Sequence, residues 1–590
     1  MENTVSTIFT ELDAKYRHSF VITQNIRDYV WEDNDPVPFS FPFALCRRLS
    51  RGGSDGTPIL VAYYSISSGI RIYHKGEGIR DEYFETYFRD STNLGTLLNA
   101  EFMSPEQLQQ LIQPPHTVLP RFTKLLAGRG EHRFCLVIDS ADNLVNPNGA
   151  TDFNDRAVIE LLEYWSWDSR IKMNGNSVVL LCSQRSHIPE GIVREDGGYS
   201  VIPMTYPNSD ERRDFLSNRG VAPAQASRLA NLTTGFRRND LEETLLRNLT
   251  EQQISAKKAE IIKNRCGDSL ELVESTYGLD RSSAQPHVVD YLLELKDLIV
   301  SDPHNALIPN GLLFVGVPGN GKSHIANAFA HDCGMNMLRF KNLRNQYVGN
   351  SERNLNTVLD ILPALAPCVV LIDEIDQVIH SRIGSSGGST DSGVENRMLA
   401  RLLEFMGDTS HKGDIIWIGA TNRPDLLDPA MPRRLGRVFP FMNPTALARE
   451  GLIKNIVSRL GLPFSSSFDY KLASDSMNDF SCDDVEKVII RSMEVALKHK
   501  SSVVENNDVV ITCKSFKHNY NSRMYEFIGL LSVEICNFVS DLPWCDDQGN
   551  IVNLSDLPWF LRPMIDNNRI NMGRVADRLN ILREAMNLHA

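Results

Sequence analysis

No cysteine of this chain stands in a C-x-x-C pair. The ten cysteines are scattered, and Cys135 and Cys182 fall inside apolar runs that read as core strands. That distribution excludes the spacing of zinc ribbons and disulfide scaffolds, and favours free thiols in a reducing, cytoplasmic compartment. Long apolar stretches are missing as well. None reaches the ~18 residues that a bilayer-spanning helix requires; the nearest, Met524 to Val539, contains Glu526 and Glu534 and reads as a buried helix. Met1 to Lys15 is polar and acidic without an apolar segment, so no secretory leader is expected. Positive charge is not in excess either. A net charge of −13 argues against nucleic acid as the main partner, although a local basic pore is compatible with it. H-E-x-x-H does not occur, so no zinc peptidase of that type is fused into the chain.

What is present is globular: 590 residues, 42% hydrophobic and 23% charged, enough for several domains of ~150 residues. Leu312-Leu-Phe-Val315 reads as a buried strand and Ile325 to His331 as the start of a helix. Between them lies Gly316-Val-Pro-Gly-Asn-Gly-Lys-Ser323, which fits G-x-x-x-x-G-K-[ST]. Gly316, Pro318, Gly319, Asn320 and Gly321 form a loop able to wrap a phosphate chain with N–H groups at a helix N-terminus, and His324 follows in the first helical turn. Lys322 would reach the β- and γ-phosphates and Ser323 would bind Mg²⁺, which makes ATP and Mg²⁺ the expected ligands. A second strand, Cys368-Val-Val-Leu-Ile372, ends in Asp373-Glu374. Asp373 suits a magnesium-bound water and Glu374 suits polarising an attacking water. A third, Ile415 to Thr421, ends at Asn422, whose amide could orient that water or merely cap a turn. Arg437, after Gly436, lies too far along the chain for its own nucleotide and would serve a neighbouring subunit.

These segments resemble the AAA family of ATPases, the branch of hexameric unfoldases and remodelling enzymes, over about Thr276 to Lys500. Gly278-Leu279-Asp280 looks like the family's adenine-side loop. Tyr347-Val-Gly-Asn-Ser-Glu-Arg353 resembles its aromatic pore loop, with Tyr347 and Val348 facing a substrate. Gly393 to Arg397 resembles an inter-subunit contact, and Phe480 to Glu486 the start of the last lid helix. The resemblance implies an α/β fold: P-loop NTPase (AAA+) cores of three αβα layers with helical lids, assembled as a homo-hexamer. Two departures stand out. Pro440 occupies the position of the family's usual second arginine, leaving Arg437 alone with Arg433 or Arg434 as possible substitutes. Cys482-Asp483 replaces a pair of small residues near the expected ribose.

The chain also matches itself. Leu136-Val-Ile-Asp-Ser-Ala-Asp-Asn143 parallels Val370 to Gln377, Ser183-Gln-Arg185 parallels Thr421 to Arg423, and Phe236 to Arg247 parallels Phe480 to Arg491. Matches in one order with slowly growing spacing indicate a duplicated module. In the first copy Ser140 replaces the glutamate, and no Gly-Lys-Ser/Thr follows the strand expected at Val61 to Gly69, so that copy reads as a nonhydrolysing scaffold. A degenerate module before an active one resembles an AAA branch of plastids and cyanobacteria.

The expected division is a degenerate core over 1–205 with its lid over 206–255 and linker helices over 256–300. An active core over 301–440, its lid over 441–513 and a small, mainly α extension over 514–590 follow. Gly384 to Ser392 is a flexible Gly/Ser stretch where the family places a second pore loop. The extension repeats Asp-Leu-Pro-Trp at 541–544 and 556–559; those tryptophans read as packing of a small domain, with partner docking as the alternative. The functional expectation is a ring-forming ATPase that remodels an unknown protein client through a pore. The alternatives are an ATP-dependent switch or assembly platform and, with less support, a nucleic-acid-directed protein.

Overall fold

Runs such as Cys368–Ile372 and Ile415–Thr421, apolar along almost their whole length, can bury both faces only inside a sheet covered on two sides. Every residue of both is buried. The computed structural model describes residues 2–31, 38–53, 58–67, 69–78, 114–129, 132–144, 153–183, 185, 188–194, 197–267, 269–341, 350–378, 391–461, 463–518 and 521–586. Tyr347 and Val348, and most of the Gly/Ser stretch from Gly384, lie outside the described residues. The chain divides into two units, residues 1–258 and 259–590.

In the first unit the strands are β1 (Ser19–Gln24), β2 (Ile59–Ser65), β3 (Gly69–His74), β4 (Glu77–Gly78), β5 (Arg133–Ile138), β6 (Ser177–Leu181) and β7 (Tyr199–Met204). They form a seven-stranded sheet in the order β4-β3-β2-β5-β6-β1-β7. The stretch from β2 to β7 is parallel throughout. Alternate residues point to opposite faces. Phe20, Ile22, Val61 and Val137 pack beneath α1 (Glu2–Asp13) and α2 (Phe41–Ser50). Val21, Ala62, Leu136 and Ile138 pack beneath α3 (Pro115–Ala127) and α4 (Phe153–Trp167). Three short helices follow, α5 (Ser209–Asn218), α6 (Pro223–Leu232) and α7 (Arg238–Leu246), and then α8 (Glu251–Cys266).

The second unit repeats the plan. Its strands are β8 (Leu270–Val273), β9 (Gly311–Gly316), β10 (Asn336–Phe340), β11 (Cys368–Ile372), β12 (Ile415–Thr421) and β13 (Gly436–Phe441), ordered β8-β10-β11-β12-β9-β13. All pairings are parallel except that of β8 with β10 at the edge. Helices α9 (Pro286–Ser301) and α10 (Lys322–Asp332) cover one face; α11 (Asn350–Leu365) and α12 (Asp391–Gly407) cover the other, followed by α13 (Ala430–Leu435). The stretch read as linker helices therefore supplies a strand, β8, and a covering helix, α9, to this sheet.

Counted in chain order, the five parallel strands of each unit run second, third, fourth, first, fifth across the sheet. This equivalence corrects one expectation. The segment from Val61 holds the second place, beside β5; the first place, between β6 and β7, belongs to Ser19–Gln24, three positions from the Val61 strand. The sequence concealed this because no glycine-rich loop follows Gln24.

The helical lids correspond as well. In the second unit the lid comprises α14 (Ala446–Leu460), α15 (Tyr470–Ser476), α16 (Cys482–Lys498) and α17 (Asn506–Ser515) around Ile453, Ile456, Val485 and Val488. Arg449 is buried there and donates to the carbonyls of Pro444 (2.8 Å) and Ser474 (2.9 Å). Arg212 in the first unit is buried and donates to those of Pro207 (2.6 Å) and Ala230 (2.9 Å). Each guanidinium ties the first lid helix to the chain entering it and to the second helix.

The extension builds its own core from α18 (Ser522–Glu534), α19 (Met572–Ala585), Leu542, Trp544, Leu557 and Phe560. Trp544 is buried and Trp559 half-exposed, so one repeat commits its indole to packing and the other does not. Glu526, the charge that broke the apolar stretch, is buried and accepts two bonds from Arg578, at 2.7 and 3.1 Å. Among the described residues no helix is long and apolar enough to cross a membrane. Gly529 of α18 faces Phe560 so closely that an added Cβ would stand 2.4 Å from the ring. Gly529→Ala should cost the extension about 1–3 kcal/mol through overpacking, read as an earlier denaturant transition in Trp fluorescence.

Candidate active site

The loop after β9 can follow its course only because its first residue is glycine. Gly316 has φ +137°, and a Cβ there would lie 2.1 Å from the Phe441 carbonyl oxygen of β13. Beyond Gly321 the chain enters α10, whose first turn carries Lys322, Ser323 and His324. Lys322 is buried, and its Nζ donates to the carbonyls of Gly316 and Val317, both at 3.0 Å. Burial lowers its pKa to about 8, against the pull of the Asp373 and Asp376 carboxylates.

Register brings the remaining groups to the same place. Val315 pairs with Thr421, and Ile372 with Gly419, so the carboxyl ends of β9, β11 and β12 lie together. Ser323 Oγ donates to Asp373 Oδ2 at 2.8 Å. Glu374 is exposed in a left-handed conformation, φ +49°, with its N–H bonded to Asp373 Oδ1 at 3.1 Å. A non-glycine residue in that region carries strain that the fold must hold in place. Thr421 donates to the buried Asp376 at 2.5 Å. The next residue, Asn422, leaves its Oδ1 buried without a hydrogen-bond partner among the described residues. A buried amide oxygen with no donor needs a ligand or a water.

These residues fit a phosphate chain with magnesium. Mg²⁺ prefers one or two protein oxygens with water and phosphate for the rest, and Ser323 with Asp373 supplies that donor set. Among the described residues no group of three or more His, Cys, Asp or Glu side chains could hold a metal ion by itself.

Beside the loop opens a cavity of about 740 Å³ lined by Tyr277, Arg281, Gly321, His324, Cys482 and Asp483. Gly278, next in the chain to Tyr277, is a glycine because a Cβ there would strike Asp332, and Asp332 accepts the Leu279 N–H at 2.9 Å. The rings of Tyr277 and His324 stack at 4.4 Å and 14°. Burial holds His324 below its ordinary pKa, so the imidazole is neutral at physiological pH. The lid closes directly on the loop: Cys482 N–H donates to Asn320 Oδ1 (3.3 Å) and Asp483 N–H to Gly319 O (3.0 Å). Asn320 Nδ2 also reaches Asn443 at 3.1 Å, in the joint between core and lid. The sequence singled out Asn320 only as a loop residue; its links to joint and lid depend on contacts distant in the chain. Asp483 pairs with Lys487 (2.5 Å), so its charge is met on its own helix.

Arg437 lies at the far end of the sheet. It pairs with Leu312, whereas Gly316 pairs with Phe441 at the opposite end of the same two strands. Its guanidinium makes two bonds to Asp541 of the extension, at 2.9 and 2.6 Å.

The corresponding place in the first unit is filled from within. Asp139 ends β5 as Asp373 ends β11, and Ser140 shares the left-handed backbone of Glu374, φ +53°. Arg27, from the turn after β1, bonds Asp139 (3.0 Å) and Ser140 Oγ (2.5 Å), and Tyr63 OH donates to Asp139 at 2.7 Å. Asp28 is fully buried and accepts bonds from Asn25 (2.9 Å) and from the backbone N–H of Asn239 (3.3 Å), in the first turn of α7. Where the second unit places a lysine and a hydroxyl, the first holds a guanidinium and a buried carboxylate.

Fold and site together define a P-loop nucleotide-binding domain with a helical lid, preceded by a second domain of the same topology. Comparison with known families agrees. Residues 312–443 match the ATPase family associated with various cellular activities (AAA), and residues 6–202 match the AAA+ chaperone N-terminal Rossmann-like domain. The chain thus carries an AAA ATPase domain behind an AAA+ chaperone N-terminal domain. It is similar to the cell division cycle protein 48 homolog of Archaeoglobus fulgidus, 26% identical over 370 residues, which cover 56% of this chain and 50% of that protein. It is also similar to the ribosome biogenesis ATPase RIX7 of Saccharomyces cerevisiae, 34% identical over 198 residues, covering 32% of this chain and 23% of that protein. The chain therefore spans half the length of the first relative or less than a quarter of the second.

A lysine with a pKa near 8 must be protonated to hold a polyphosphate. Nucleotide affinity should hold up to about pH 8 and then fall by up to tenfold per pH unit. Titration calorimetry at pH 9 in two buffers of different ionisation enthalpy should show proton uptake on binding; a flat affinity from pH 7 to 9 would contradict the lowered pKa.

Proposed function

We propose that the second unit is a Mg²⁺-dependent ATPase and that the chain is a ring-forming protein remodeller built from copies of itself. The observation that carries this reading is the convergence of Lys322, Ser323, Asp373 and the unpartnered Asn422 Oδ1 at the ends of three adjacent strands. Gly316 to Gly321 would cradle the phosphates, Lys322 would meet their charge, and Ser323 with Asp373 would hold Mg²⁺. Bound there, Mg²⁺ neutralises charge on the phosphate oxygens. Glu374, exposed beside Asp373, would accept a proton from the attacking water, and Asn422 would orient that water. Tyr277, Gly278 and His324 would line the base side. In the first unit Arg27 takes the place of a ligand's charge, which supports a scaffold role for that unit.

Tyr347 and Val348 would grip an extended polypeptide in a central pore, a role that rests on their resemblance to the family's pore loop. The name of the matched N-terminal domain, an AAA+ chaperone domain, supports a protein client. All ten cysteines are free, which fits a reducing, cytoplasmic setting. A switch or assembly platform that binds without threading is the second reading; the engagement of Arg437 by Asp541 favours it.

Glu374→Gln should lower turnover by about 10²–10³-fold while nucleotide affinity stays within a few-fold, and Lys322→Ala should lose binding itself. Clients retained by the Glu374→Gln protein should be released by Tyr347→Ala. Retention independent of Tyr347 would favour the platform, and a wild-type chain without turnover at any concentration would remove the enzyme reading.

A further inference from the structure

β13 is the outer strand of its sheet, and an outer strand presents unpaired backbone groups that must be met. At Val438 the extension meets them. Asn537 Oδ1 accepts the Val438 N–H at 2.9 Å, and Cys536 Sγ lies 3.6 Å from the Val438 carbonyl. Alongside, Arg437 is enclosed on several sides. Asp541, itself buried, takes two of its N–H groups, and the rings of Tyr291, Phe439 and Phe538 lie 4.0, 5.1 and 5.3 Å from its Cζ. A planar cation held by a bidentate carboxylate among aromatic rings is fixed in both position and plane.

The second Asp-Leu-Pro repeat does the matching work across the joint. Asp556 Oδ1 accepts the Ala446 N–H, at the first residue of the lid helix α14, at 3.0 Å. A carboxylate there also meets the positive end of the helix. Only Met442 to Thr445 separate β13 from α14, and Met442 is buried in the extension's core.

We propose that the twin Asp-Leu-Pro segments staple the joint between the ATPase core and its lid, and that Arg437 is the anchor of that staple rather than a cation offered to a neighbouring copy. Asp541 is then a positioning residue: it acts on the nucleotide site through β13 and the lid, without touching it. The exposed Arg433 and Arg434, at the end of α13, remain the cations a neighbouring copy could use. The turnover arm of the test rests on the ATPase reading above; the hydrogen-exchange arm does not.

The experiment compares Asp541→Ala, Arg437→Ala and the double variant in the full chain, by amide hydrogen exchange over residues 442–446 and by ATP turnover. A shared anchor predicts that each single variant speeds exchange at the joint by roughly tenfold. It also predicts equal turnover losses, with the double variant no worse than either. Asp541→Asn keeps the volume and one acceptor, and should give a smaller increase confined to the joint. If the extension melts in the alanine variant, the asparagine variant decides. The proposal is overturned if joint exchange is unchanged in the single variants, or if exchange rises only within the extension. It is equally overturned if Arg437→Ala abolishes turnover with the joint still protected while Asp541→Ala keeps or raises turnover, because Arg437 would then be a cation acting in trans.

Discussion

A carboxylate at the carboxyl end of a buried parallel strand has to be met by donors, since leaving it unpaired costs several kcal/mol. Both units of this chain place an aspartate there, and much of their chemistry follows from how each is met. Asp373 receives one side-chain hydroxyl, from Ser323, and a backbone N–H. Ligands that are weakly held and neutral leave room for a metal and its waters. Asp139 receives a guanidinium and a phenol as well as the Ser140 N–H. Those donors are supplied by the protein and fixed by its packing, and burial with the Asp139 charge pushes the Tyr63 phenol well above its ordinary pKa, so it stays protonated as a donor. One backbone plan therefore yields a receptive site and a completed one.

The second organising feature is the contact between loop and lid. Cys482 and Asp483 lie against Asn320 and Gly319, and Asn320 reaches on to Asn443. A polyphosphate on this loop would thus bear on residues that belong to the joint and the lid as well. Cys482 and Asp483, which looked in the sequence like bulk and charge thrust at a ribose, use their backbone N–H groups on the loop, and the carboxylate of Asp483 turns to Lys487.

The duplication was legible because its marks are local: an aspartate closing an apolar strand, an arginine after the next, an Asn-Asp or Asp-Asp pair opening a helix. The phosphate loop was legible for the same reason, since glycines and a lysine at fixed spacing have one economical use. What escaped was non-local. The central strand at Ser19–Gln24 carries no motif, so only the sheet order reveals its place. The paired lid arginines, Arg212 and Arg449, each bury a charge on one carbonyl five residues back and a second in the next helix, 18 and 25 residues on, and nothing in their immediate sequence marks them. The Asp-Leu-Pro-Trp repeat is visible in the sequence through its tryptophans, whereas its aspartates are the residues that reach Arg437 of β13 and the first residue of α14.

Arg27 also has a historical meaning. A glutamate restored at Ser140 would stand next to a guanidinium already bonded to that residue and to Asp139, and would be neutralised rather than freed for catalysis. Removing Arg27 first would leave Asp139 short of its main counter-charge. Along either route a single substitution leaves the carboxylate arrangement of the first unit unlike that of the second. Substitutions that keep the contacts among Arg27, Tyr63 and Asp139 are therefore far easier to accommodate than any that would convert this place into a copy of the one beside Lys322.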